Sequence, residues 1–308
     1  MNKDPGTVSV EVVRCHRSIG AEIRGVDLST SLPDTIFQAI YAALLEHKII
    51  FFRNQNITTE QHINFGRLFG PLETNPFRPQ KDGAPELQII KNDKSNPVLS
   101  TDVWHSDLTF RLQPTKFTIL RCLEIPEYGG DTMWADMCAA YEGLSPKLRD
   151  FVTGLTAIHD FKNFRVLYKD NPAKREELHR MEEMFPNPSH PVVITHPETR
   201  QRVLFVNRQF TLRIEGMSEL ESRNILEVLY DQAKVPEYQF RLSWQPGTLV
   251  VWDNRSCQHY AVNDYYPFRR HMERVAVAGD TSPFFDPKAK PAREYAIVSR
   301  VHAHEGLH

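Results

Sequence analysis

The feature that most constrains the fold of this chain is a two-residue periodicity of apolar side chains after Trp104. Short runs of this kind, bounded by glycine and proline, recur at Lys116–Leu123, Pro191–Thr195, Arg202–Val206, Thr248–Trp252 and Arg270–Ala278. Alternation places apolar side chains on one face of a strand, and many short strands separated by turns predict a sandwich or a barrel. The pattern therefore predicts a mostly β fold.

Stretches with helical spacing predict helices that pack outside these strands. They cover Leu32–His47, Thr58–Phe69, Ala135–Leu144, Ala173–Met184 and Ser218–Ala233. Thr58 and Gln61 have the spacing of a capping box, and the apolar run Ile49–Phe52 suits a buried strand. The sequence contains no glycine-rich nucleotide-binding motif and no regular strand–helix alternation, so a parallel dinucleotide-binding sheet is not expected.

The composition narrows the possible partners. A content of 41% hydrophobic and 25% charged residues is that of an ordinary soluble globular chain. The 37 basic residues are balanced by 39 acidic ones, which argues against non-specific nucleic-acid binding. No run approaches the roughly 18 apolar residues that span a membrane, and the sequence does not open on a signal peptide. The four cysteines lie far apart, as expected of reduced thiols, so we expect a cytoplasmic protein without nucleic-acid or membrane partners.

The segment Trp104–Leu108 carries a candidate metal site. If it is extended, His105 and Asp107 point to the same side, because side chains alternate along a strand. An imidazole and a carboxylate side by side can be neighbouring ligands of one divalent metal. A buried hydrogen bond between the same two groups is the alternative.

A distant histidine can complete this site. His259 follows the predicted strand Thr248–Trp252 after a short turn. Two imidazoles and one carboxylate on one face of a metal leave three octahedral positions open, which is the arrangement of non-haem Fe(II) oxygenases. A zinc hydrolase can use the same ligands, so they do not identify the metal by themselves.

Two arginines near the C-terminal end distinguish these possibilities. Arg270 lies 11 residues after His259, and Arg274 shares its face of the predicted strand. A guanidinium suits carboxylates, and two buried guanidinium groups without partners would be costly. Either protein carboxylates pair them, or solvent covers them, or the face binds two small anions.

At this point the sequence resembles the TauD/TfdA family of Fe(II)/2-oxoglutarate-dependent dioxygenases, which are taurine dioxygenase-like. The resemblance covers roughly Ile19–Asp280. It is carried by segments that include IIFFRNQNITTEQHINFGRLFGPL, DVWHSDLTF, PEYGGDTMWADMCAAYEGLS, WQPGTLVVWDNRSCQHYAVNDY and RRHMERVAVAGD. The fold that it implies is a double-stranded β-helix, or jelly roll, with flanking helices. We expect one domain over 1–308, with an ordered catalytic portion of about 8–282 and a C-terminal tail at 283–308.

The resemblance implies roles for individual residues. His105, Asp107 and His259 correspond to the iron ligands, and no catalytic residue beyond the metal centre is implied. Thr132 and Arg270 correspond to the residues that hold the distal carboxylate of 2-oxoglutarate.

A second group is implied to form the substrate pocket: Arg274 for an anionic head group, Phe210 and Phe164 as aromatic walls, and Leu108 beside the metal motif. Asn75 and Thr101 stand where the taurine enzyme has a histidine and an asparagine that contact taurine. Both changes remove partners for a small zwitterion and predict a relaxed or different substrate.

The function implied is an Fe(II)/2-oxoglutarate-dependent dioxygenase that also consumes O2. It would hydroxylate a small organic anion, such as a taurine-like or alkyl sulfonate or an alkyl sulfate ester, next to its heteroatom. The products would be succinate, CO2 and an aldehyde with sulfite or sulfate. An aryloxyalkanoate dioxygenase, a zinc hydrolase and a non-catalytic jelly roll remain alternatives. Family members usually form dimers or tetramers, so a homo-oligomer is expected.

Overall fold

The computed structural model describes residues 10–74, 84–96, 102–161 and 175–289. Its strands are β1 (Glu11–Arg14), β2 (Ala21–Arg24), β3 (Ile49–Phe52), β4 (Gln88–Asn92), β5 (Phe117–Glu124), β6 (Thr132–Asp136), β7 (Thr156–His159), β8 (Ser189–Pro191), β9 (Val193–Thr195), β10 (Arg202–Leu204), β11 (Thr211–Ile214), β12 (Gln239–Leu242), β13 (Leu249–Asp253), β14 (Cys257–Ala261) and β15 (Arg270–Val277). Its α-helices are α1 (Asp34–His47), α2 (Thr59–Arg67), α3 (Met137–Glu142), α4 (Pro146–Val152), α5 (Arg175–Met184) and α6 (Glu219–Tyr230). The predicted mostly β fold with flanking helices is confirmed.

Two sheets enclose the core that lies nearest the site. The larger sheet has seven strands in the order β1-β2-β3-β13-β5-β15-β4, and it is antiparallel except where β2 pairs with β3. The smaller sheet has the order β12-β6-β14. Side chains from both sheets interdigitate in one apolar cluster, which includes Leu120, Trp134, Leu242, Trp252 and Met272. The two sheets therefore pack face to face as a sandwich.

Helices α1 and α2 cover the outer face of the larger sheet. Ile40 and Leu44 of α1 and Phe65 of α2 pack on Val251 and Val275 of the sheet. Because both faces of β13 are covered, all five of its residues are buried, and its sequence is continuously apolar up to Asp253. The predicted capping box of α2 is present, with the Thr58 side chain accepting from the Gln61 amide. The helices thus hold the sheet from behind and leave its inner face to the site.

The prediction of a helix over Ala135–Leu144 is wrong at its start. Residues up to Asp136 form β6, which is hydrogen-bonded to β12 on one edge and to β14 on the other. The Asp136 carboxylate then accepts from the amides of Cys138 and Ala139 and caps α3. Pairing on both edges outweighs the local helical tendency of this alanine-rich segment, and it places Thr132 and Trp134 in the sheet.

Residues beyond 282 are docked on the protein as far as the description extends. The carbonyl of Phe284 accepts a hydrogen bond of 2.7 Å from the amide of Thr195. Asp286 pairs with Arg200. Among the described residues, none of the helices combines the length and apolarity that crossing a membrane requires.

Candidate metal centre

Backbone pairing brings the two histidines of the site together. His105 and His259 form an isolated antiparallel bridge, in which each amide donates to the carbonyl of the other, at 3.1 Å and 2.7 Å. Their imidazole centres lie 4.1 Å apart. Asp107 Oδ1 is 3.9 Å from the Nε2 atom of each imidazole, and the three ligand atoms all lie within 4.8 Å of one another. Three ligand atoms from two separate parts of the chain thus face one point.

The contacts of His105 define which nitrogen faces that point. Its Nδ1 lies 2.7 Å from the carbonyl oxygen of Val103, which can only accept a hydrogen bond. Nδ1 therefore carries the proton, and Nε2 presents a lone pair to the site. For His259, Nδ1 has no hydrogen-bond partner within the described part of the chain, and the Trp252 ring lies 4.9 Å from the imidazole.

Asp107 is held so that one carboxylate oxygen remains available. Its Oδ2 accepts hydrogen bonds from Thr118 Oγ1 at 2.6 Å and from the Arg274 guanidinium at 2.9 Å. Asn254 accepts from the Asp107 amide at 3.1 Å and donates to Thr118 Oγ1 at 2.9 Å. Because Oδ2 is occupied and the backbone is fixed, Oδ1 is the oxygen that faces the histidines.

The electrostatics of the site keep the ligands in metal-binding form. Burial lowers the pKa of His105, and burial together with the adjacent His105 lowers the pKa of His259 to about 3. Burial alone would raise the pKa of Asp107, but the Arg274 guanidinium and the imidazoles outweigh it and hold that pKa below its ordinary value. Two neutral imidazoles and one carboxylate therefore converge at neutral pH, which is a donor set that suits ferrous iron.

The residues that follow Asp107 form a wall of the site. Leu108 is buried and has a φ of +50°, an unfavourable backbone conformation for a branched aliphatic residue. It packs in a cluster with Phe110 and Phe210, and the Phe210 ring stands edge-on 6.4 Å from the His105 ring. This turn thus places the Leu108 side chain in the same recess as Arg274, which donates to Asp107.

Arg270 is a buried cation without a counter-charge in the described residues. It is 5% exposed, and its Nε donates to the carbonyl of Gly130 at 3.3 Å. No carboxylate of the described residues lies within 4 Å of its guanidinium, and burial lowers its pKa. Gly130 has a φ of +72°, and a Cβ there would lie 3.3 Å from Arg270 Cδ and 2.9 Å from Ile125 Cδ1. A buried guanidinium of this kind requires an anion, since an unpaired buried charge is costly.

Thr132 begins β6, two residues after Gly130. Its hydroxyl oxygen accepts from Trp244 Nε1 at 2.9 Å, and the residue is buried. Because the oxygen already accepts, the hydroxyl hydrogen is available to donate to a further acceptor.

Arg274 lies next to Asp107, one of the three converging side chains. Besides Asp107, it contacts Gln88, whose Oε1 accepts from NH1 at 3.1 Å. Its side chain lines a recess that Leu108 also lines. The remaining residues of this recess are Glu73, Pro85, Glu86, Leu87, Gln88 and Ala276.

The predicted site residues thus fall into three groups. The structure brings His105, Asp107 and His259 together, with Arg274, Leu108 and Phe210 around them. Arg270 and Thr132 belong to the sandwich interior, at the ends of β15 and β6. Asn75, Thr101 and Phe164 lie outside the described residues.

Three further residues were not singled out as site residues by the sequence: Thr118, Asn254 and Gln88. Asn254 lies at the turn that leads to His259, so its position in the sequence is compatible both with bracing this turn and with a hydrogen bond to a neighbour of the site. Thr118 had a weak signal, because it is a polar residue on the same face of β5 as the apolar Leu120 and Cys122. Gln88 had none, since its contact depends on which residue of β15 lies opposite it.

Comparison with known proteins agrees with this geometry. The sequence profile of the family described as "Taurine catabolism dioxygenase TauD, TfdA family" matches residues 11–276. An alkylsulfatase of Acinetobacter baylyi is 40% identical over 270 residues, which are 86% of this chain and 83% of that protein. An alpha-ketoglutarate-dependent sulfate ester dioxygenase of Pseudomonas putida is 36% identical over 283 residues, which are 90% and 92% of the two chains. A solved taurine dioxygenase from Burkholderia xenovorans superposes with a TM-score of 0.76 at 36% identity, covering 92% of this chain and 95% of that one.

Proposed function

The chain belongs to the taurine catabolism dioxygenase TauD, TfdA family, and from this premise we propose that it oxidises alkyl sulfate esters. It is a 2-oxoglutarate-dependent dioxygenase that requires Fe(II) and O2, so the predictions of family, reaction class and cofactors are confirmed. Relatives named alkylsulfatase and sulfate ester dioxygenase support sulfate esters as the substrate class.

We assign His105, Asp107 and His259 as the ligands of Fe(II). The converging ligand atoms, the neutral imidazoles and the braced carboxylate support this assignment. Bound there, ferrous iron supplies the chemistry that couples oxidative decarboxylation of 2-oxoglutarate to hydroxylation of a substrate C–H bond. Thr118 and Asn254 keep the Asp107 carboxylate turned toward the metal.

We assign Arg270 and Thr132 to the distal carboxylate of 2-oxoglutarate. The absence of a carboxylate within 4 Å of Arg270 among the described residues supports this role, because a dicarboxylate supplies the missing anion. The hydroxyl of Thr132 can donate to the same carboxylate while it accepts from Trp244. Burial strengthens both interactions by excluding water.

We assign Arg274 to the anionic head group of the substrate, with Leu108 and Phe210 as apolar walls against its alkyl chain. A sulfate monoester combines one negative charge with an apolar tail, and these residues match both parts. Hydroxylation of the carbon that bears the ester oxygen gives an unstable product, which separates into an aldehyde and sulfate. In the same reaction the cosubstrate 2-oxoglutarate is converted to succinate and CO2. Substrate-pocket roles for Asn75, Thr101 and Phe164 stay predictions.

We further propose that the two facing sheets form a double-stranded β-helix and that the chain is one catalytic domain. Sheet order, the shared apolar cluster and the family match over most of the chain support this reading. A cytoplasmic location, a dimer or tetramer, and the lack of nucleic-acid and membrane partners stay predictions.

The observation that carries the substrate proposal is the Arg274 guanidinium fixed 2.9 Å from a metal-ligand carboxylate beside an apolar wall. The test supplies the enzyme with Fe(II), ascorbate, O2 and 2-oxoglutarate, and measures succinate with hexyl sulfate, hexanesulfonate, taurine and phenoxyacetate. We expect the highest kcat/KM with hexyl sulfate, with sulfate released in equal amount to succinate. Turnover of phenoxyacetate alone would favour the aryloxyalkanoate alternative. Sulfate release without 2-oxoglutarate would favour a zinc hydrolase.

A further inference from the structure

Strand β4 is an edge strand whose partner is β15. Its register with β15 places Gln88 directly opposite Arg274 and Asn92 opposite Arg270. Gln88, Ile90 and Asn92 therefore face the same way as the two arginines, whereas the exposed Ile89 faces away. An edge strand thus supplies the side chains that lie next to both cations of the site.

Gln88 and Asp107 together fix the direction of the Arg274 side chain. NH1 donates to Gln88 Oε1 at 3.1 Å, and NH2 donates to Asp107 Oδ2 at 2.9 Å. A guanidinium only donates, so the amide must present its oxygen to it. With both terminal nitrogens held, the long arginine side chain loses little further freedom when it binds a substrate.

The two acceptors differ in charge. Asp107 is an anion whose charge Fe(II) would share once bound, while Gln88 is neutral. The two carboxylates that line the recess each have another cation, since Glu73 lies 3.0 Å from Arg111 and Glu86 lies 3.1 Å from Arg67. Arg274 therefore keeps positive charge that an incoming anion can use. A carboxylate in place of the Gln88 amide would cancel it.

We propose that Gln88 is a positioning residue for substrate recognition: it orients Arg274 toward the recess without neutralising it, so that the enzyme selects substrates with a monoanionic head group. The inference deepens the proposed function and rests on it. The recess that Gln88 lines with Arg274 and Leu108 is where the head group would lie.

The test compares Gln88→Glu, which keeps the shape and adds a negative charge, with Gln88→Leu, which removes the acceptor. Ile89→Ala on the opposite face of β4 is the matched control. Each enzyme is assayed with Fe(II) and 2-oxoglutarate for KM and kcat with hexyl sulfate and for KM with 2-oxoglutarate. Binding of hexyl sulfate to the Fe(II)- and 2-oxoglutarate-loaded enzyme under argon is measured by calorimetry.

We expect Gln88→Glu to raise both KM and Kd for hexyl sulfate by about tenfold or more, and Gln88→Leu by about threefold. In both variants kcat and the KM for 2-oxoglutarate should stay within about twofold of wild type, as should every parameter of Ile89→Ala.

Two outcomes would overturn the inference. One is an unchanged hexyl sulfate KM in Gln88→Glu. The other is an equal rise of both KM values with a fall in melting temperature, which a purely structural role predicts. Failure of the proposed function is distinct, because the wild-type enzyme would then produce no succinate with any sulfate ester. In that case calorimetry with whichever anion supports turnover repeats the comparison.

Discussion

Arg270 and Arg274 lie four residues apart on the same face of β15, yet their surroundings differ. Arg270 is buried over the Tyr265 ring and donates to the backbone carbonyl of Gly130, and no carboxylate of the described residues lies within 4 Å of it. Arg274 is held by a carboxylate and an amide beside the metal ligands. The unpaired buried charge of Arg270 is costly, whereas Arg274 already has an anionic acceptor in Asp107. Under the proposed roles, the same strand binds the cosubstrate through Arg270 at one end and the substrate through Arg274 further along.

The largest effect is expected when Arg270 is replaced, because no carboxylate of the described residues pairs with its guanidinium. We expect Arg270→Ala to raise the KM for 2-oxoglutarate by at least about 30-fold, since buried charge pairs lose about 2–5 kcal/mol when one partner is removed. This KM is measured from the rate of succinate formation at varied concentrations of 2-oxoglutarate. Exposed Arg269, paired with Glu124 at 3.0 Å, supplies the control variant Arg269→Ala, which should behave as wild type. Full activity of Arg270→Ala would support a hydrolase.

Removing the second arginine should affect the other substrate. In Arg274→Met we expect KM for hexyl sulfate to rise by about 10- to 30-fold, because a charge-assisted contact is lost, while KM for 2-oxoglutarate changes by less than about threefold. Steady-state kinetics with each substrate varied in turn separates the two. The control variant is Arg67→Met, which removes a surface cation that pairs with Glu86 of the recess. It measures the effect of losing one positive charge near the site without changing Arg274. Equal changes in both KM values would contradict the division of roles.

Some site residues could be predicted from a short stretch of sequence, whereas others depend on contacts between distant strands. His105 and Asp107 could be predicted because alternate residues of an extended segment point to the same side. Thr118 and Gln88 could not, because their roles depend on what lies across the sheet. The error at the start of α3 has the same origin: β6 is a strand because β12 and β14 flank it. The mostly β fold and the convergence of His105, Asp107 and His259 were predictable, but the contacts that orient these side chains depend on strand register.

Thr118 offers a test of how the Asp107 carboxylate is held in position. Thr118→Val keeps the volume but removes the hydroxyl that donates to Asp107 Oδ2 and accepts from Asn254. We expect the affinity for Fe(II) to fall by about tenfold, since outer contacts of a metal ligand are worth about 10- to 100-fold. Anaerobic titration of Fe(II) followed by calorimetry measures it. Wild-type affinity would mean that Arg274 alone orients the carboxylate.

The smallest effect on catalysis is expected from a substitution on the outer face of β15. There Glu273 accepts hydrogen bonds from Thr59 at 2.7 Å and from Arg121 at 3.0 Å. Burial alone would raise its pKa, but the nearby His62 imidazole, the hydrogen bond from Thr59 and the Arg121 charge lower it to about 2. A depressed pKa stabilises the fold above pH 4.5, and this stabilisation is lost as the pH falls toward 2.

Glu273→Gln should therefore reduce the free energy of unfolding at pH 7 by about 1.5–3 kcal/mol and flatten its decline between pH 4.5 and 2. Both KM values at 25 °C should change by less than about twofold, because the inner face of the strand keeps its two arginines. Urea unfolding across this pH range, with kinetics at pH 7, measures both. A large rise in either KM would mean that the outer network also sets the direction of the arginines, and the two faces of β15 would then act as one unit.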